Sequence, residues 1–173
     1  MTTFYATMPS PAGQLLLTAS ADGLTGVYFP GEGRQPESDW QLDRPRFADV
    51  IEQLEEYFAG DRVEFSLPLA PPGTPFQQRV WDELASVTYG TTITYTELAR
   101  RVGRPSSIRA VGGANGRNPI CIIVPCHRVI GVDGSLTGYS AGIDTKRWLL
   151  DFERGMRPSG QPHEGTGVGQ DLS

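Results

Sequence analysis

Cysteine and histidine are scarce in this chain: its 173 residues include only Cys121 and Cys126, and only His127 and His163. Two cysteines cannot build a disulfide framework and suit a reducing compartment. They also leave too few ligands for a compact structural zinc site, because His163 falls in a stretch expected to be disordered. No metal or other cofactor is expected. No apolar run approaches the ~18 residues needed to cross a bilayer. The opening Met1-Thr2-Thr3-Phe4-Tyr5 lacks the basic-then-apolar layout of a secretory signal. These absences point to a cytoplasmic protein with no membrane attachment. Basic residues are thin in the first half, where residues 1–87 carry 5 against 13 acidic side chains. Residues 88–130 reverse the balance, with arginines at 100, 101, 104, 109, 117 and 128 against Glu97 alone. An acidic chain of net charge −5 therefore gathers positive charge in one segment. That is either a footprint for an anionic partner or a set of solvated arginines on helices.

What is present is ordinary for a soluble globular protein, with 38% hydrophobic and 20% charged residues. The length suffices for a substantial core in one or two domains. Residues 3–29 read as two or three antiparallel strands, with Ala21-Asp22-Gly23 as a hairpin turn. Residues 31–45 read as a loop. From Arg46 to Ala59, Phe47, Val50, Ile51, Leu54, Tyr57 and Phe58 make one apolar helical stripe. Residues 63–67 alternate like a further strand. Nothing in this first part carries visible chemistry, and it reads as a scaffold domain over residues 1–67. The proline-rich residues 68–73 read as a linker.

A second domain is expected over residues 74–155. Thr74-Pro75-Phe76-Gln77 and Thr94-Tyr95-Thr96-Glu97 are capping-box signatures that open helices. A short helix then runs from Pro105-Ser106 towards Gly113. Paired with the helix before it, and bearing Arg109, it has the outline of a helix-turn-helix, which is weak by itself. Arg109-Ala110-Val111-Gly112-Gly113-Ala114 carries little bulk beyond its arginine, which suits close approach to a groove or to a neighbouring helix. Ile120 to Val124, apolar and mostly β-branched between two prolines, reads as a buried strand delivering Cys126 at its end. Asp144 is placed as the cap of a last helix with Trp148, Leu149 and Phe152 inward. Residues 156–173 read as a disordered tail.

Cys126 followed by His127 is the evident chemical pair. A thiol of pKa ~8.5 is only slightly ionised at neutral pH and needs a base or a positive neighbour to act. A carboxylate behind the histidine would orient it, and Asp133, Asp144, Asp151 and Glu153 are all candidates by spacing. Cys121 reads as a small buried hydrophobe.

Val124-Pro125-Cys126-His127-Arg128-Val129-Ile130, with Arg109 to Ala114 and Asn118-Pro119 upstream, resembles the O6-alkylguanine-DNA alkyltransferases. The resemblance extends through Thr137-Gly138-Tyr139-Ser140 and Lys146-Arg147-Trp148-Leu149-Leu150, covering residues 74–154 well. It is looser before that, through Leu15-Leu16-Leu17 and Tyr57-Phe58-Ala59-Gly60. It implies an α+β protein: a small ribonuclease-H-like α/β domain followed by a mostly helical domain with a helix-turn-helix. The implied activity is direct-reversal repair of double-stranded DNA, in which an O6-alkylguanine, or an O4-alkylthymine, is flipped out and its alkyl group moved irreversibly to the protein. Carried over by position, Cys126 is the acceptor, His127 deprotonates it through a water, and Glu153 stands behind the histidine. Tyr95 protonates the leaving base, Arg109 fills the vacated stack, and Asn118 braces the turn before the active-site strand. Tyr139 and Ser140 belong to the loop closing over the base, and backbone groups of Cys126 and Val129 read its edge. Arg128 falls with the substrate- and DNA-binding set. A monomer is expected, with room for cooperative assembly on DNA. Two positions depart from the family: Ser107-Ile108 stand where small residues are usual, and Ala141 replaces a common glycine. The alternatives are a lesion sensor without chemistry, which the presence of Cys126 disfavours, and a Cys-His hydrolase or redox enzyme.

Overall fold

The computed structural model describes residues 1–155, so the expected tail lies outside the described residues. The first strands are β1 (Phe4–Met8), β2 (Leu15–Ser20) and β3 (Gly23–Tyr28). In β1 the alternate residues Ala6 and Met8 turn inward, whereas the central β2 is buried on both faces from Leu15 to Ala19, and Val27 of β3 is buried beside it. A bulge at Thr18/Ala19 shifts the β2–β3 register. The stretch expected as a plain loop holds more. Its β4 (Gln41–Leu42) adds to β1 in parallel, giving the order β3-β2-β1-β4, and a 3-10 turn over Arg44–Phe47 leads into α1.

Helix α1 (Ala48–Phe58) buries Val50, Ile51, Leu54 and Tyr57, the stripe its periodicity predicts. Residues 63–67 form no strand, despite their alternation. The proline-rich stretch after them is tied down: Leu24 donates to Pro68 O at 3.0 Å and accepts from Ala70 N at 2.8 Å. Prolines lack the donor a full ladder needs, so only this isolated pairing forms.

Helix α2 (Pro75–Leu84) starts on the full Thr74/Gln77 capping box. The short β5 (Ile93–Thr94) leads into α3 (Tyr95–Arg101). Here Thr94 caps the Glu97 N–H, but the Glu97 carboxylate turns to Arg100 and Arg101 instead of back to the cap, so the second box is half made. Helix α4 (Ile108–Gly116) packs against both α2 and α3. The Trp81 indole donates to Ala114 O at 2.9 Å and pins α4 to α2. Last comes α5 (Ile143–Glu153), whose N-cap is Gly142 rather than Asp144. Asp144 sits in the first turn, where its charge still favours the helix dipole.

One buried cluster runs through both halves of the chain, from Leu15 and Phe29 through Tyr57 and Trp81 to Val129 and Leu149. No helix among the described residues is long and apolar enough to cross a membrane.

Candidate active site

The segment expected as the strand before Cys126 is a knot of turns. Only Ile120 bridges to a neighbour, Val27 of β3, and Val27 N–H donates to Pro119 O at 2.9 Å. Beyond it the chain folds on itself, with Val124 N–H donating to Ile120 O at 3.0 Å and Ile123 N–H to Cys121 O at 2.8 Å. Ile122 takes φ +73°, a left-handed conformation that a β-branched residue adopts only under tertiary constraint. Asn118 supplies much of that constraint. Its side-chain oxygen accepts from Ile120 N–H at 3.0 Å, and its amide donates to Val124 O at 2.8 Å. Burying Ile120 to Val124 satisfies the β-branched run as well as a strand would, which is why its composition misled. Cys126 to Arg128 then form one 3-10 turn, and β6 (Val129–Ile130) pairs in parallel with β5.

Cys126 is 3% exposed at the start of that turn, and its carbonyl accepts from the Asn115 amide of α4 at 3.4 Å. The thiol is held below its ordinary pKa. The facing Cys121 thiol contributes most, and the Asn118 amide and Lys146 charge add to it against desolvation. The same contact and burial push Cys121 up.

Behind Cys126 lies a closed polar cluster. Among the carboxylates left open by spacing, Glu153 is the one that meets His127, with Nε2 and Oε2 2.8 Å apart. Arg128 donates to both Glu153 oxygens, at 2.8 and 2.9 Å, and to Val87 O at 2.7 Å. Tyr57 donates to Glu153 Oε2 at 2.6 Å from α1. Burial pushes the Glu153 carboxyl up, but the His127 ring and the Arg128 guanidinium overcome it and hold the group well below the usual carboxylate range. His127 is lowered because burial outweighs the attraction of Glu153. A neutral ring facing an ionised acceptor must donate from Nε2. Nδ1 is then the basic atom, and it has no hydrogen-bond partner among the described residues.

Arg128, expected with the DNA-binding set, is 5% exposed and committed to Glu153 and Val87; it is a structural counter-ion, not a surface contact. Its place in the motif gave no sign of this burial, because sequence alone does not reveal it. The structure also brings in two residues missed by sequence reading. Tyr57 comes from the supposed scaffold, and its signal was a hydroxyl on a wholly apolar stripe that had to find a partner. Lys146 of α5 is fully buried, donates to Thr137 O at 2.8 Å and reaches Tyr95 OH at 3.4 Å. Burial lowers it to about 8. A lysine on the inward side of a helix was its signal.

Tyr95 begins α3 and donates to Thr137 O at 3.0 Å, so it lies against the loop carrying Tyr139 and Ser140. Burial raises its pKa and keeps it a proton donor. Tyr139 is buried and Ser140 exposed, both lining a cleft of about 780 Å³ with Gly116 and Ala141. Val129 is fully buried beside the thiol turn. Arg109 is exposed on the second residue of α4, at a distance from the His127–Glu153 cluster that its own helix sets.

A buried, activated thiol backed by a His–Glu–Arg cluster, beside a cationic helix pair, defines a protein with covalent chemistry at one cysteine and a surface suited to a polyanion. Residues 75–155 match the DNA binding domain of 6-O-methylguanine DNA methyltransferase, and residues 3–71 match the ribonuclease-like domain of the same proteins. A methylated-DNA–protein-cysteine methyltransferase of Methanosarcina acetivorans is 47% identical over 152 residues, covering 87% of this chain and 97% of the relative. One from Mycobacterium tuberculosis is 46% identical over 156 residues, covering 90% and 94%. The crystal structure of Mycobacterium tuberculosis OGT in complex with DNA superposes with a TM-score of 0.83 at 46% identity, over 90% of this chain and 95% of that one. The chain belongs to the 6-O-methylguanine DNA methyltransferase family.

Proposed function

We propose that this protein repairs double-stranded DNA by direct reversal, taking the alkyl group of an O6-alkylguanine onto Cys126 in a single turnover. The observation that carries this reading is the buried Cys126 at the head of the turn that delivers His127 and Arg128 to Glu153. His127 Nδ1 takes the thiol proton through one water, and Glu153 stabilises the ring as it becomes charged. The Cys126 sulfur attacks the alkyl carbon, a carbon–sulfur bond forms, and the carbon–O6 bond breaks. The electron pair passes into the guanine, and Tyr95 delivers a proton to it. The thioether has no leaving group to regenerate the thiol, so the protein is consumed.

Base flipping supplies access: the target nucleotide leaves the stack, at a cost of a few kcal/mol, for the cleft lined by Tyr139 and Ser140. Arg109 occupies the gap it leaves, and Asn118 keeps the turn that presents Cys126. Ser140 and the backbone of Val129 read the base. O4-alkylthymine is a second candidate substrate. The protein acts as a monomer that can assemble cooperatively along DNA, and it works in the cytoplasm, where Cys121 and Cys126 stay reduced.

The test is intact mass after incubation with duplex DNA carrying O6-methylguanine. The expected outcome is one added methyl on Cys126, one per protein, and none on a Cys126→Ala variant. Lesion-selective binding with no adduct would instead make it a sensor.

A further inference from the structure

A second cleft, of about 350 Å³, adjoins the base cleft and shares Gly116 and Ser140 with it. Its walls come from both halves of the chain. Tyr28 at the end of β3, with Glu32 and Arg34 just beyond, faces Arg117 and Asn118 at the end of α4. Both arginines are exposed, and neither has a carboxylate partner among the described residues. Arg34 lies over the Tyr28 ring, 4.9 Å from its centroid, which keeps the guanidinium at the cleft. Glu32 is the one acid in the lining, and its Oε2 accepts from the Phe29 N–H at 2.8 Å. Two guanidinium charges against one carboxylate leave the cleft positive. Helix α4 ties this charge to the rest of the surface. Arg109, Gly113 and Arg117 are spaced by four and all exposed, so they run along one side of it. A methyl on Gly113 would meet nothing within 4 Å, so that side is bare between the arginines, which stand about 12 Å apart along the axis.

We infer that Arg34 and Arg117 form a phosphate clamp, holding between them one backbone phosphate of the strand whose nucleotide is flipped, so that the N-terminal half of the chain binds DNA directly. The inference rests on the repair reading and adds a contact to it. A nucleotide seated in the base cleft stays joined to its strand. The edge made by Gly116 and Ser140 is common to both clefts, and there the strand runs on from one into the other. A phosphate is the group that two unpaired guanidinium forks suit, since each fork matches its oxygens with parallel N–H donors. The base itself presents no charge for them to hold.

The experiment follows single-turnover alkyl transfer from a duplex carrying O6-methylguanine, as a function of duplex concentration and at several salt concentrations. Transfer from free O6-benzylguanine is measured alongside. Arg34→Ala and Arg117→Ala are each expected to raise the duplex concentration giving half the maximal rate, by about fivefold near 0.1 M salt. The double variant should lower the slope of log affinity against log salt by about 1, the loss of one neutralised phosphate. All three should react with the free base at the rate of the unaltered protein, because neither arginine belongs to the thiol cluster. Arg46→Ala removes the same charge from the N-terminal half outside this cleft and should leave duplex transfer unchanged. A slope change of about 2 would mean two separate phosphates and overturn the clamp. Unchanged duplex affinity in Arg34→Ala, or an equal loss in Arg46→Ala, would take the N-terminal half out of the interface and overturn it too. No transfer from either substrate by the unaltered protein would instead fail the repair reading itself.

Discussion

Glu153 accepts four side-chain hydrogen bonds from three residues, Tyr57, His127 and Arg128, all buried. Removing its charge should be costly in a way that shows which partner balances it. Glu153→Gln leaves the Arg128 guanidinium buried without a counter-ion, and a loss of about 3–5 kcal/mol in urea unfolding is expected. Alkyl transfer should fall with it, because His127 loses its orientation. Lys146 should behave in the opposite sense. Its folded pKa, about 8, lies below the ordinary lysine value of 10.5, so between those pH values the unfolded chain binds a proton that the folded chain does not. Stability therefore rises with pH across that window. Lys146→Met should remove this rise and raise the stability at neutral pH by on the order of 1 kcal/mol, about 3 °C in Tm. It should also slow alkyl transfer and move the midpoint of the pH–rate profile upward, since the Lys146 charge favours the Cys126 thiolate. A stabilised, fully active variant would show that Lys146 does not act on the thiol.

Among the elements, the turn from Asn118 to Cys126 decides the site, and it is held in a conformation its own sequence would not choose. Ile122 at φ +73° costs about 1–2 kcal/mol. That cost is offset by the Asn118 bonds to Ile120 and Val124 and by full burial of the apolar side chains. Asn118→Ala would leave the buried Ile120 N–H unpaired, while Val124 O would keep only the Cys126 N–H, and a destabilisation of about 2 kcal/mol is expected. Its alkyl-transfer rate should fall at least tenfold while the secondary structure seen by circular dichroism is kept. Equal rates for variant and parent would mean that the turn holds Cys126 without Asn118. The neighbouring helices are simpler. Their caps and apolar spacing are local, so α1, α2 and α5 begin and end close to where the residues place them.

For the whole molecule, the N-terminal part is more than a support. Tyr57 carries a hydrogen bond from α1 into the Glu153 cluster, and Val27 of β3 receives Pro119 at the entrance to the thiol turn. The N-terminal part thus touches the chemistry twice, once from α1 and once from β3, without supplying a reacting group. Tyr57→Phe keeps the packing and removes only the hydroxyl, so a loss of about 1–2 kcal/mol in urea is expected. The pH–rate profile should shift with it, which a purely structural role for the first domain would not produce.

Much of this was legible from residues alone because it depends on neighbours in the chain. The Thr74 cap, the Tyr57-bearing stripe, the Asp-Gly hairpin and the Cys126-His127 pair all involve spacings of a few residues, over which backbone geometry is nearly fixed. Spacing left Glu153 open beside Asp133, Asp144 and Asp151, so that only the family resemblance implied it, and the inward turn of Arg128, the burial of Lys146 and the reach of Tyr57 across the chain were not legible. Each depends on residues tens of positions apart meeting in one dry cluster, where desolvation and pairing decide protonation and role. The β-branched run before Cys126 shows the same division, since its hydrophobicity announced burial but only Asn118, Val27 and the surrounding core decided that it should be a turn.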